Sequence, residues 1–181
     1  MDGDGAPAAV AGDEDDGEPI AGAVGGGEPK RWWGWAALGL SLAGLGDSLY
    51  LTIEHFRGTV PICAANSVVD CAKVTTSPES EIFGVLPVAL LGLLFFVALV
   101  TVTLPPWWRL EGRTGELLAW ARLALVVSGM GMVVYLLYAE LFSIKAICLW
   151  CTGVHVITFL LFVLVVATFP STASAPVGED P

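Results

Sequence analysis

Residues 146–169, AICLWCTGVHVITFLLFVLVVATF, decide the fold of this chain. A Cys-x-x-Cys pair, Cys148 and Cys151, leads directly into a long apolar run. A helix needs roughly 20 apolar residues to cross a hydrocarbon layer about 30 Å thick. The stretch therefore predicts a membrane helix that carries a dithiol at its start.

Three other apolar runs have a similar length, at about 32–53, 82–104 and 117–140. The whole chain is 55% hydrophobic and has a mean hydropathy of +0.74, which is too apolar for an ordinary soluble domain of this size. The pattern predicts an all-α integral membrane protein with four transmembrane helices within residues 30–170.

The two ends of the chain differ from this apolar domain. Residues 1–29 hold eight of the 18 acidic residues, set among Gly, Ala and Pro, which predicts a disordered acidic tail. The acidic start and the lack of an early apolar core exclude a signal peptide. Residues 171–181 are expected to form a short second tail, and no nucleic-acid partner is expected.

Basic residues predict the orientation, because Lys and Arg favour cytoplasmic loops. Five of the eight flank the first helix or the middle connection, namely Lys30, Arg31, Arg109, Arg113 and Arg122. We therefore expect a multi-pass protein of the cell membrane with both termini in the cytoplasm. The 54–81 loop and the 141–147 connection then lie outside, where disulfides persist.

This orientation brings all four cysteines, Cys63, Cys71, Cys148 and Cys151, to the extracytoplasmic side. A helix N-terminus stabilises a thiolate, which is the form that attacks disulfides. The pair at the start of the last helix can thus lie between a water-side thiol donor and a lipid-soluble acceptor. The 54–81 loop is long enough to form a lid with a short helix over it. Two alternatives stay open, a structural zinc site and a non-catalytic scaffold with inert disulfides.

Three stretches carry a family resemblance: DSLYLTIEHF (47–56), KVTTSPESEIFGVLPVALLG (73–92) and YLLYAELFSIKAICLWC (135–151). Together with the spaced pair Cys63 and Cys71, they resemble the bacterial homologues of vitamin K epoxide reductase, from about residue 36 to 165. The DsbB family of quinone-linked oxidases has its cysteine pairs in the opposite order. The expected family member has no fused thioredoxin-like domain.

The resemblance implies a four-helix bundle around a quinone, menaquinone or ubiquinone, with no metal. Electrons would pass from a thioredoxin-fold, DsbA-like partner to Cys63 and Cys71, then to Cys148 and Cys151, and finally to the quinone. Such a thiol:quinone oxidoreductase supports disulfide formation. An alternative is that reduction of vitamin K epoxide or quinone is the main activity.

Further site residues follow from the resemblance and from the cost of polar groups in a membrane. Quinone-binding candidates are Ser77, Ser80, Phe83 and His155, and Asp47 is a candidate for proton handling. Ser77 can also be a simple turn residue, and His155 can form a structural hydrogen bond between helices. Glu140 and Lys145 are interpreted as residues of the membrane interface.

Overall fold

The computed structural model describes residues 32–63, 68–82, 85–110 and 112–173, and this part of the chain is mostly helical. Its helices are α1 (Trp32–Arg57), α2 (Cys71–Thr75), α3 (Val88–Val102), α4 (Gly112–Tyr138) and α5 (Leu149–Ala173). Two short strands, β1 (Glu81–Ile82) and β2 (Leu86–Pro87), pair antiparallel. A π-helical segment, Ala139–Ile144, continues α4. The predicted N-terminal tail lies outside the described residues.

Three helical stretches are long and apolar enough to cross a membrane: Trp32–Arg57, Gly112–Ile144 and Leu149–Pro170. Helix α3 is apolar but has 15 residues. At a rise of 1.5 Å per residue it spans about 22 Å, which is less than the ~30 Å hydrocarbon layer. The described structure therefore supports a membrane protein, with three of the four predicted crossings meeting the length requirement.

The start predicted for the second long helix, residue 82, is wrong. Glu81 pairs with Pro87 and Ile82 with Leu86, so this segment is a small hairpin. Pro87 has an extended backbone, with φ −60° and ψ 130°, and it immediately precedes the helix. The apolar run in the sequence continues through the hairpin, which explains why hydropathy alone placed the helix start too early.

The first helix extends past its predicted end at residue 53 to Arg57. Gly58 then takes the left-handed conformation, with φ +65°. Its N–H donates to His55 O (3.1 Å), and the Thr59 N–H donates to Glu54 O (3.1 Å). These two bonds form a Schellman motif, which satisfies the last carbonyls of the helix.

The bounds of the last two long helices also differ from the predicted 117–140 and 146–169. The fourth helix begins at Gly112 and its π-helical continuation ends at Ile144. Lys145 then adopts a left-handed conformation, with φ 56°. The chain is extended at Ile147, so α5 begins at Leu149 and continues to Ala173, three residues into the predicted C-terminal tail.

The core lies where α1, α3, α4 and α5 pack together. Its fully buried members include Ala37, Phe96, Leu99, Val126 and Leu161. A Cβ atom on Gly44 would overlap the Phe96 ring, so α1 and α3 approach closely only because Gly44 has no side chain. Many large apolar side chains face outward, as expected of helices solvated by lipid.

Arg122 is 2% exposed and holds the end of the bundle at which α3 ends. Its Nε donates to Val102 O (2.7 Å) and its Nη2 donates to Trp107 O (3.2 Å). The guanidinium lies 4.2 Å from the Trp108 ring centroid. Since Val102 is the last residue of α3, Arg122 satisfies a carbonyl that the helix end leaves unpaired.

Candidate active site

The spaced cysteines of the loop between α1 and α3 form a disulfide, Cys63–Cys71, with a Cα–Cα distance of 6.4 Å. Cys71 is the first residue of α2 and is buried. Asp70 caps this helix, because its carboxylate accepts the Lys73 N–H at 3.0 Å. The short helix predicted in this loop is therefore present, and it runs from Cys71 to Thr75.

A backbone bridge joins this loop to the segment before α5. The Asp70 N–H donates to Ile147 O (3.1 Å), and the Ile147 N–H donates to Val68 O (3.0 Å). Asp70 immediately precedes Cys71 in sequence, and Ile147 immediately precedes Cys148. As a result, Cys71 and Cys148 belong to one buried cluster, with Cys63 and Cys151 packed against it. The structure thus brings all four predicted redox cysteines together.

Cys148 and Cys151 are free thiols, Cys148 being buried and Cys151 partly exposed. Cys148 occupies the N-cap position of α5, since its carbonyl accepts the Thr152 N–H (2.9 Å). Its Sγ accepts the Cys151 backbone N–H at 3.3 Å, as a Ser or Asp side chain does in other caps. Hydrogen bonding from the Cys151 thiol, and then from backbone N–H groups, lowers the pKa of Cys148 below its ordinary value.

Trp150, which lies between Cys148 and Cys151 in sequence, holds the loop between α1 and α2 near Cys63. Its Nε1–H donates to Ile62 O at 2.9 Å. The Ile62 N–H in turn donates to the Tyr50 hydroxyl at 3.2 Å, and the Tyr50 and Trp150 rings lie 4.8 Å apart. The residue preceding Cys63 is therefore held at both its N–H and its carbonyl.

A cavity of about 820 Å³ lies between the loop and helices α1, α3, α4 and α5. Its lining is mainly apolar and includes Phe95, Phe96 and Met132. Cys151 reaches this cavity, whereas Cys148 is on the side of the loop cysteines. The size is within the range of small-molecule sites, roughly 300–1,000 Å³. One thiol of the pair therefore faces a ligand-sized space.

Three of the four predicted quinone-binding residues line this cavity: Ser77, Ser80 and His155. The Ser77 hydroxyl donates to Val74 O (2.8 Å) and the Ser80 hydroxyl donates to Ser77 O (2.7 Å). Both hydroxyl groups thus serve the local turn, as the alternative interpretation of Ser77 expects, while their oxygens can still accept. The fourth residue, Phe83, lies outside the described residues.

His155 and Asp47 carry buried polar atoms without a partner among the described residues. Both ring nitrogens of His155, which is 5% exposed, lack a hydrogen bond there, and so does Asp47 Oδ1. The structural hydrogen bond considered for His155 is thus not found in this part of the chain. Asp47 is not among the cavity residues and packs against the backbone of α5, where a Cβ on Gly153 would lie 2.9 Å from Asp47 Oδ2.

Two acidic residues of the site were not found from the sequence. Glu79 lines the cavity, and its carboxylate accepts a hydrogen bond from the Ser143 hydroxyl of the π-helical segment. That bond is the main reason why the pKa of Glu79 is lowered. Glu140, interpreted from the sequence as an interface residue, is 4% exposed and also lines the cavity. That interpretation is wrong, because the π-helical turn directs Glu140 inward.

The described residues contain no group of three or more His, Cys, Asp or Glu side chains that could hold a metal ion. The zinc alternative requires four thiolates, but two of the four sulfurs here are joined to each other. The alternative of two inert disulfides requires both pairs to be closed, whereas Cys148 and Cys151 are open in this structure.

Apolar helices of membrane-spanning length, together with an open dithiol packed on a disulfide, define a helical membrane oxidoreductase. Over residues 35–166, the chain matches the vitamin K epoxide reductase family, and it belongs to that family. The match includes all four cysteines and confirms the resemblance drawn from the sequence. No curated relative matches the chain.

Proposed function

We propose that this protein is a thiol:quinone oxidoreductase that reoxidises a thioredoxin-fold partner outside the cytoplasm. The observation that carries the proposal is the position of the Cys148–Cys151 pair. Cys148 packs with the loop disulfide, and Cys151 lines the cavity. A dithiol in this position can exchange with one side and deliver electrons to the other.

The loop pair performs the first half of the reaction. The reduced partner opens the Cys63–Cys71 disulfide, and the resulting loop dithiol then reduces a Cys148–Cys151 disulfide by exchange. Cys148 is the exchanging residue, because it is the member of the pair that shares a buried cluster with Cys71. Its lowered pKa favours the thiolate that such an exchange uses.

The cavity provides the second half. A quinone bound there accepts two electrons and two protons and becomes a quinol. The ring N–H of His155 can donate to a quinone oxygen, because within the described residues neither ring nitrogen has a hydrogen-bond partner and such a buried polar group is unfavourable until a ligand pairs with it. Ser77, Ser80 and Phe83 complete the proposed contacts, and Asp47 remains a candidate for proton handling.

The proposed topology has four crossings, with both termini in the cytoplasm and the 54–81 loop as an extracytoplasmic lid. Helix α3 would be the remaining crossing, the second in chain order; it ends at Val102 and is followed by Pro105, Trp107 and Trp108, and tryptophans are suited to an interface. A cysteine placed at the exposed Thr114 should then react with an impermeant thiol reagent only from the cytoplasmic side. Labelling from the outside would contradict this orientation.

Trapping tests the proposed function. Purified protein should reduce a quinone when supplied with a reduced thioredoxin-fold partner, and Cys148→Ala or Cys151→Ala should abolish turnover. Cys151→Ala should also accumulate a mixed disulfide between Cys148 and a loop cysteine, which mass spectrometry identifies. Unchanged turnover in either variant would disprove the proposal. Faster turnover of vitamin K epoxide than of quinone would favour the alternative activity.

A further inference from the structure

Glu140 lies in the π-helical segment Ala139–Ile144, between α4 and the short extended segment that leads to Cys148. Single π-helical turns are rare and are frequent at functional sites. Here the wider turn places a carboxylate in the interior, where it is 4% exposed. Burying an acidic side chain in such a place costs free energy, so a buried acid there indicates a functional role.

The position of Glu140 relative to Cys148 is fixed by the backbone. The Glu140 carbonyl accepts the Ala146 N–H at 3.1 Å and also the N–H of Lys145. The carboxylate itself faces the backbone N–H of Cys148. Its negative charge is close enough to oppose formation of the Cys148 thiolate. Glu140 and Cys148 are therefore neighbours in the folded chain.

The same carboxylate borders the cavity that Cys151 reaches. Within the described residues the salt bridge found joins His55 and Glu81, so no cation there neutralises Glu140. Glu140 thus lies beside Cys148 on one side and borders the ligand-sized space on the other. No cationic partner there holds it in a purely structural role.

We propose that Glu140 is the group that carries a proton from the Cys148–Cys151 dithiol to the cavity, an inference that rests on the proposed function. Closing a disulfide from two thiols releases two electrons and two protons, and reduction of a quinone to its quinol consumes both. Glu140 takes the thiol proton of Cys148 and gives it to one quinone oxygen. Cys151, which faces the cavity, gives its own proton there directly.

Other titratable groups near the thiols are less suited to this role. Asp47 faces Cys151 from α1 but does not border the cavity. His155 borders the cavity one helical turn deeper than Cys151. Lys145 follows the π-helical segment, and its side chain is exposed. Glu140 alone among these described residues both faces Cys148 and lines the cavity.

The test separates the two half-reactions by rapid mixing. In the first, oxidised protein reacts with reduced partner and no quinone; in the second, reduced protein reacts with a short-chain menaquinone. Glu140→Gln keeps the size of the side chain but cannot accept a proton. We expect it to slow the second half-reaction on the order of 10²-fold, the usual contribution of a positioned acid–base group, and to change the first by less than about 2-fold.

The pH profile gives a readout that a structural role would not produce. In the unmodified protein the second half-reaction should accelerate with rising pH as a carboxyl group ionises, and Glu140→Gln should lack that limb. Glu140→Asp should keep the limb at a lower rate. Glu116→Gln, the same change at an exposed position of α4, is the matched control and should leave both half-reactions unchanged.

The outcomes distinguish the two proposals. If the unmodified protein fails to reduce quinone, the proposed function is wrong, and the role of Glu140 is wrong with it. If the unmodified protein reacts and Glu140→Gln matches it in rate and pH profile, the role of Glu140 alone is wrong. Should Glu140→Gln fail to assemble, Glu140→Asp decides: an unchanged rate overturns the inference.

Discussion

The hydrogen bond from Trp150 to Ile62 should control how often the 54–81 loop lifts away from Cys148. Cys148 has no exposed surface when the loop is docked, so an alkylating reagent reaches it only after the loop lifts. If docking and undocking are fast, the alkylation rate is proportional to the equilibrium constant for opening. Trp150→Phe keeps an aromatic ring against Tyr50 and removes the indole N–H.

The size of the effect follows from the bond that is lost. The contact is 2.9 Å long but exposed, so we take the lower half of the usual range for a net hydrogen bond, about 0.5–1 kcal/mol. That corresponds to roughly 2- to 5-fold faster alkylation of Cys148. Tyr50→Phe removes the partner of the Ile62 N–H and should have an effect of similar size. Because both bonds hold one residue, the double variant should deviate from additivity.

Alkylation at Cys148 is followed by mass spectrometry without reductant, so that the Cys63–Cys71 disulfide stays closed. Trp120→Phe and Tyr135→Phe make the same changes at exposed positions of α4 and serve as controls. A rate in Trp150→Phe equal to that of the unmodified protein would refute the argument. So would an equal acceleration in the controls, because it would show that the loop contacts do not limit access.

Three other changes test separate features. Cys151→Ala removes the thiol hydrogen bond that is the main cause of the lowered pKa of Cys148, so the pH midpoint of Cys148 alkylation should move upward; an unchanged midpoint would contradict that hydrogen bond. Ser143→Ala should raise the pKa of Glu79 toward its ordinary value, measured by carbon NMR of the carboxyl group. A lowered carboxyl pKa stabilises the folded state above the unfolded pKa, and this stabilisation is lost as the pH falls through the folded pKa. Docking of the loop through Glu79 and Ser143 should therefore weaken in acid, and Ser143→Ala should lack this acid dependence. Arg122→Met should lower the free energy of unfolding in detergent by about 2–4 kcal/mol, because two partly buried carbonyls lose their donor, whereas Arg109→Met should have little effect.

Hydropathy predicted the apolar helices well, because a membrane helix needs little more than length and composition. It could not place the start of α3, since the apolar run continues through the β1–β2 hairpin and only the pairing around Pro87 interrupts the helix. Likewise, the end of α1 depends on the positive φ of Gly58, a local turn that a hydropathy window does not register.

The site could be predicted only in part, for a related reason. The four cysteines were found from their types and order, and His155 from its burial in an apolar run. The neighbours of the dithiol could not be found in this way. Glu140 turns inward through a π-helical segment, and the loop docks through a bridge between Val69 and Ile147, so both depend on backbone geometry that no side-chain pattern records.

The capping of α5 by Cys148 ties the order of a helix end to the oxidation state of the protein. A thiolate is a strong acceptor for the Cys151 N–H, whereas a sulfur engaged in a disulfide is a weak one. The first turn of α5 should therefore fray more readily once the pair is oxidised. The hydrogen-exchange rate of the Cys151 amide should therefore report the oxidation state of the pair. It should rise when the pair is oxidised and fall when the pair is reduced again.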